Sequence, residues 1–128
     1  MLTDVKDVQA WVASVIGTRY EASRGAFVET PALNETFIVG INQAGGRSLP
    51  HVLYRNFRIV LIGRRSKRSD AAQIEQDANA LIKEVIRPDR QHPLPCGAGG
   101  MRLVADAAGV QYTTTDRAYY NLTIELLI

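Results

Sequence analysis

Between residues 4 and 16, Val5, Val8, Val12 and Val15 recur at spacings of three and four, and Trp11 and Ile16 widen the stripe they draw. That period predicts an amphipathic helix, with Thr3 or Asp4 placed to cap its first turn and Gly17 to close it. From Ala26 onward the period changes to two. Phe27 to Thr30 predicts a short strand that Pro31 breaks, and Phe37, Val39 and Ile41 alternate with Ile38, Gly40 and Asn42 as a second. Gly45, Gly46 and Pro50 mark residues 43 to 50 as a turn or a longer excursion. Residues 56 to 62 then read as a strand apolar on both faces, Phe57, Ile59 and Leu61 on one and Val60 and Ile62 beside Arg58 on the other. A strand of that kind is expected in a sheet's interior, covered on two sides.

Ser69 or Asp70 predicts the start of a second helix, with Gln73 three residues after Asp70 in capping-box register. Its apolar stripe runs through Ile74, Ala78, Leu81, Ile82 and Val85, and Pro88 stops it. Residues 87 to 100 hold three prolines and three glycines and read as an irregular loop. Met101 to Asp106 predicts a strand and Gly109 a turn. Last comes the clearest alternation in the chain: Tyr120, Leu122, Ile124, Leu126 and Ile128 point one way, and Tyr119, Asn121, Thr123 and Glu125 the other. The order of elements predicts an α+β fold: a single mixed, largely antiparallel sheet of four to five strands with two amphipathic helices packed on it. The 128 residues suit one domain, residues 1 to 128, with one core.

Composition narrows the class. Apolar residues make up 46% and charged residues 22%, and no run approaches the roughly twenty apolar residues of a bilayer crossing, so a folded, soluble chain is expected. Asp4 and Asp7 precede any apolar run, which is a poor signal-peptide pattern, and the sequons at Asn34 and Asn121 read as chance. Cys96 is the only cysteine, which excludes an intramolecular disulfide and a cysteine-rich metal site and fits a reducing, cytoplasmic origin. The formal charge is +2, while Arg64, Arg65, Lys67 and Arg68 contribute +4, so the remainder of the chain sums to −2. The excess is local, unlike the broad basic surface of a general nucleic-acid binder.

Candidate chemistry is sparse. A phosphate-cradling loop needs glycines for close backbone approach and commonly a Lys-Ser/Thr at a helix start, but only Gly63 stands in the basic cluster, and Gly97, Gly99 and Gly100 precede a strand. His92 and Cys96 stand four apart without a third, orienting group, and His51 is the only other histidine, short of the three or four ligands of a metal site. Asp106 and Asp116 flank a turn that could hold a cation, but isolated acidic residues near turns are usually caps or solvated ends. The tyrosines of "QYTTTDRAYY", Tyr112, Tyr119 and Tyr120, have the choice of stacking bases or packing a core with the hydroxyl at its rim. No catalytic residue, metal or cofactor is expected.

Two segments resemble a known family. "FRIVLIGRRSKRSDAAQIEQDANALIKEV", with Asp77, Ala78 and Leu81 as its Asp-Ala-x-x-Leu-like pattern, is similar to the strand, loop and helix of the tail terminator and minor capsid (tail-completion) proteins of tailed bacteriophages. "TDRAYYNLTIELLI" resembles the same family's closing strand, where an acidic-Arg pair precedes an aromatic and an alternating apolar end. The helix of residues 4 to 16 is also in place, whereas the loop of residues 87 to 100 departs from the pattern. The resemblance implies a structural virion protein: a homo-oligomeric ring, a hexamer in that family, which caps the tail tube, ends its polymerisation and meets the head's neck proteins. Its partners would be further copies of itself, the tube protein and the neck proteins, with no membrane and no specific nucleic acid. Arg64, Arg65, Lys67 and Arg68 are the candidate protein interface. The rival readings are a head-completion (neck) protein and a small nucleic-acid binder using the cluster with Tyr112, Tyr119 and Tyr120.

Overall fold

The computed structural model describes residues 2–24, 29–87 and 89–128. Helix α1 spans Val5–Ile16, and a short strand β1, Glu21–Arg24, follows it. A hairpin of β2 (Ile38–Leu49) and β3 (Val52–Ile62) leads through the basic loop into helix α2 (Ala71–Ile86). Strands β4 (Gly100–Asp106), β5 (Gln111–Tyr112) and β6 (Ala118–Leu127) complete the chain. The fold is α+β, with one mostly antiparallel sheet ordered β1-β2-β3-β6-β4. Only β1 and β2 run parallel, and the two-residue β5 pairs with the start of β6.

Both helices pack on the same face of this sheet. Val8, Trp11 and Val12 of α1 and Ile74, Ala78, Leu81 and Val85 of α2 meet Val39, Ile41, Phe57, Ile59, Leu61, Tyr120, Leu122, Ile124 and Leu126 in one core. Strands β3 and β6 lie at its centre, paired from Tyr54↔Leu127 to Ile62↔Tyr119, so the alternation of β6 becomes a buried row against a row that is partly exposed except at Glu125.

Three expectations from the sequence are corrected. Residues 43 to 50 are not a turn but the second half of β2: the register shifts between Gln43 and Gly46, and pairing resumes from Gly46↔Arg55 to Leu49↔Val52. The glycines serve a bulge. Gly45 takes a φ of 100°, and a Cβ on Gly46 would collide with the Tyr54 carbonyl oxygen, so only glycine lets the strands approach there. The reversal falls at Pro50 and His51, and His51 adopts a φ of 68°. Next, β3 is central but not covered on two sides. No described helix packs on its second face, where Arg58 is exposed and Val60 partly so; only at one end are Ile38 and Ile62 buried. The expected α2 capping box does not form. Asp70 is the N-cap, but its carboxylate is taken by Arg64, and Gln73 donates instead to Asp77. The expected turn at Gly109 is present as a bend, in which the left-handed residue is Ala108, with a φ of 58°. The strand expected at Phe27 to Thr30 lies mainly outside the described residues, as does Pro88; Glu29 and Thr30 are irregular, and the described strand nearby is β1.

Candidate functional site

The basic loop joins the end of β3 to α2, and its backbone is fastened on several sides. Gly63 N–H donates to Ala118 O at 2.7 Å, Arg65 N–H to Asn34 O at 3.0 Å and Ser66 N–H to Thr115 O at 3.0 Å. Arg64 N–H donates to Asp70 Oδ2 at 2.9 Å, and Ser66 sits at a φ of 57°. The four cations are not equivalent. Arg64 folds back on Asp70, donating from Nε at 3.0 Å and Nη2 at 2.8 Å, and its guanidinium lies 5.2 Å from the centroid of Phe37. That grip holds the buried Asp70 carboxyl below the usual carboxylate range, the hydrogen bonds from Arg64 outweighing its burial. Arg68 pairs with Asp116 at 3.4 Å and stacks over Tyr112 at 4.0 Å. Arg65 and Lys67 are exposed, and neither has an ion pair within 4 Å among the described residues.

Beside the loop lies a node that sequence reasoning missed. Arg117, fully buried, donates from Nε to Glu29 Oε1 and Oε2 at 3.1 and 3.0 Å, from Nη1 to Gly63 O at 2.8 Å and Thr36 O at 3.2 Å, and from Nη2 to Leu33 O at 2.6 Å. One guanidinium thereby ties residues 29–36 to the end of β3 and the start of β6. In return Arg117 keeps Glu29 below its ordinary range. The acidic-Arg pair of residues 116 and 117 thus divides its work: Asp116 meets the loop and Arg117 fastens the frame.

A second buried node explains Asp77. Its carboxylate accepts from Tyr20 Oη at 2.6 Å, Gln73 Nε2 at 3.0 Å and Arg19 Nη1 at 3.2 Å, which anchors the segment after α1 onto α2. Burial, and then the bond to Asp77, raise the Tyr20 phenol. Glu84, one turn-pair further along the same stripe, accepts the His92 N–H at 2.8 Å, with His92 Nδ1 3.4 Å and Arg87 Nη1 3.8 Å away. Burial opposes its charge, yet the contacts with His92, followed by the Gln91 N–H, keep its carboxyl below the usual range. The signal was present in the sequence: Asp77 and Glu84 fall seven apart on the apolar stripe of α2, where an acid needs partners.

His92 and Cys96 do not converge on a catalytic arrangement. His92 sits against Glu84, and Cys96 is exposed with its carbonyl accepting from Thr3 Oγ1 at 2.8 Å. Asp106 accepts from Tyr120 Oη and from Ala108 N–H, Asp116 pairs with Arg68, and among the described residues no cluster of acids, histidines or cysteines is arranged to hold a metal. Of the three tyrosines, Tyr120 is buried, Tyr119 donates to Gln111 and Tyr112 lies under Arg68, so no row of free rings is assembled. A groove of about 360 Å³ runs between the start of α1 and the β1–β2 edge over Val5, Val39 and Ile41, with Lys6 and Gln9 at its rim. On the open face of the sheet, the buried Glu125 accepts from Arg102 at 3.0 Å and faces Arg47 at 3.6 Å, while Arg47 covers Tyr54.

These features define an α+β domain whose charged clusters bind its own elements together, with one sheet face bare of helix among the described residues. The chain matches no protein-family model and no curated protein.

Proposed function

We propose that the chain is a structural subunit of a bacteriophage tail, a tail-terminator-like protein that assembles into a ring, caps the tail tube, ends its growth and presents a surface to the neck. The observation that carries the reading is how the two family-like segments combine. Residues 57 to 85 and 115 to 128 build one frame, β3 against β6 with α2 packed over them, while Asp77 and Arg117, the polar residues of the two motifs, hold that frame to the rest of the chain. The open sheet face adds support. A face carrying Arg58, Val60, Asn121 and Thr123, without a helix over it, offers area to neighbouring subunits at no cost to the core. A capping ring acts by surface complementarity, and the reading assigns no catalytic residue, metal or cofactor to the chain.

Light scattering and negative-stain images of the concentrated protein, alone and with a polymerising tube protein, test this. The expected result is a closed ring, and tubes that stop lengthening when the chain is added. A strictly monomeric species that leaves tube growth unchanged overturns the reading.

A further inference from the structure

Four neighbouring cations repel one another, and the fold offsets part of the repulsion by pairing two of them with acids. Arg64 is held by Asp70, and Arg68, though more than half exposed, pairs with Asp116, which leaves Arg65 and Lys67 as the loop's exposed cations with no ion pair within 4 Å among the described residues. We infer that Arg65 and Lys67 form a two-point docking corner for carboxylates on the surface of a partner protein.

Two properties of the loop carry this. First, its backbone is already ordered: Arg65 is held to Asn34, Ser66 to Thr115, Lys67 N–H to Arg64 O at 3.3 Å and Asp70 N–H to Lys67 O at 2.9 Å. A partner that meets these two side chains therefore restricts rotamers and not a floppy segment, which lowers the entropic cost of docking. Second, the surroundings choose the partner's chemistry. Asp116 is more than half exposed beside Arg68, Glu35 is exposed near Arg64, and Glu29 lies near Arg65. A nucleic acid presents a continuous run of phosphates and calls for a continuous basic track, which these acids interrupt. A protein surface of mixed sign can set carboxylates against Arg65 and Lys67 and basic groups against Asp116 and Glu35, which fixes register as well as attraction. The inference relies on the tail reading only for the partner's identity, which would be a subunit of the tube or the ring.

The isotope-labelled chain is titrated at low salt with a short polyglutamate peptide and, separately, with a short DNA duplex of equal charge, while amide shifts are followed. The peptide is expected to move the amides of Arg65, Ser66 and Lys67. Its affinity should fall about tenfold in the Arg65→Glu/Lys67→Glu variant, two exposed pairs being lost and reversed, and should fall for the native chain as salt rises. The neutral Arg65→Gln/Lys67→Gln variant should lie between, and both variants should melt with the native chain. Shifts centred instead on Arg47, Arg58 and Arg102, an unchanged affinity in the reversed variant, or tighter binding of the duplex through Arg65 and Lys67 would each overturn the inference. Tube-capping assays separate it from the tail reading. Native protein that caps tubes beside a reversed variant that caps them equally well at low salt overturns the docking corner alone; native protein that fails to cap overturns the tail reading and leaves the peptide result to decide the corner.

Discussion

Arg117 and Ile124 are the single residues on which the fold depends most visibly. Replacing Arg117 with Met keeps much of the volume but withdraws the guanidinium from the carbonyls of Gly63, Thr36 and Leu33 and from Glu29, of which Leu33 O keeps the Thr36 N–H and Glu29 keeps the Thr115 hydroxyl as donors. Glu29 is exposed and can rehydrate, so the main cost is that of buried carbonyls losing a donor, and urea denaturation should show a loss of about 1–3 kcal/mol. Lysine should not rescue it, because one ammonium cannot span a fork that reaches a carboxylate and three carbonyls. Ile124 is fully buried in β6, and Ile124→Lys should cost several kcal/mol by stranding a charge in the core. Tyr120 carries a pH signature. Burial and the nearby Asp106 push its phenol up to about 12. Its folded pKa lies above the unfolded value near 10, so its contribution is whole below about pH 10 and is lost as pH rises towards 12. Alkaline melts of Tyr120→Phe should show a shallower decline over that window than the native chain.

Elements are held by their ends and their bulges. The first turn of α1 is closed reciprocally, Asp7 N–H donating to Asp4 Oδ1 at 3.1 Å and Asp4 N–H to Asp7 Oδ2 at 2.9 Å. Asp4→Ala removes this cap and should lower stability by about 1 kcal/mol in thermal melts. In the hairpin, Gly46→Ala drives a methyl into the Tyr54 carbonyl, and because backbone cannot swing aside as a side-chain tip can, the β2–β3 register past the bulge must give. The expected outcome is loss of amide protection from Gly46 to Leu53 while β6 keeps its own, read by hydrogen exchange.

At the scale of the whole molecule, separate carboxylates respond to acid together. Glu29, Asp70, Glu84 and Glu125 all lie below their ordinary range: Arg117 lowers Glu29, Arg64 lowers Asp70, and at Glu84 and Glu125 burial is outweighed by His92 and by Arg102 with Arg47. A folded pKa depressed below the unfolded one stabilises the fold above the unfolded value, and that stability is lost as pH falls through the folded value. Stability should therefore hold near neutrality and decline below about pH 4, the ordinary carboxylate range. Asp70→Asn, stripped of the charge that grips Arg64, should start lower and decline less. A chain whose unfolding free energy stays flat from neutrality to pH 2 would show that these pairs contribute nothing net.

Periodicity by itself determined α1, α2, β6 and the central placement of β3, because a helix or strand that buries one face must repeat its apolar residues at the matching spacing. It also determined the α+β class, since two such helices need a sheet to cover them. Interactions between distant residues were decided by the tertiary structure alone. Gly45 and Gly46 carry the same local signal in a turn and in a bulge, and only the facing strand distinguishes them. Arg117 and Glu29 stand 88 positions apart, and nothing in either neighbourhood announces the pair. In the basic loop the sequence supplies four equal charges, whereas packing decides which of them are paired: Arg64 and Arg68 form ion pairs within the fold, and among the described residues Arg65 and Lys67 form none within 4 Å.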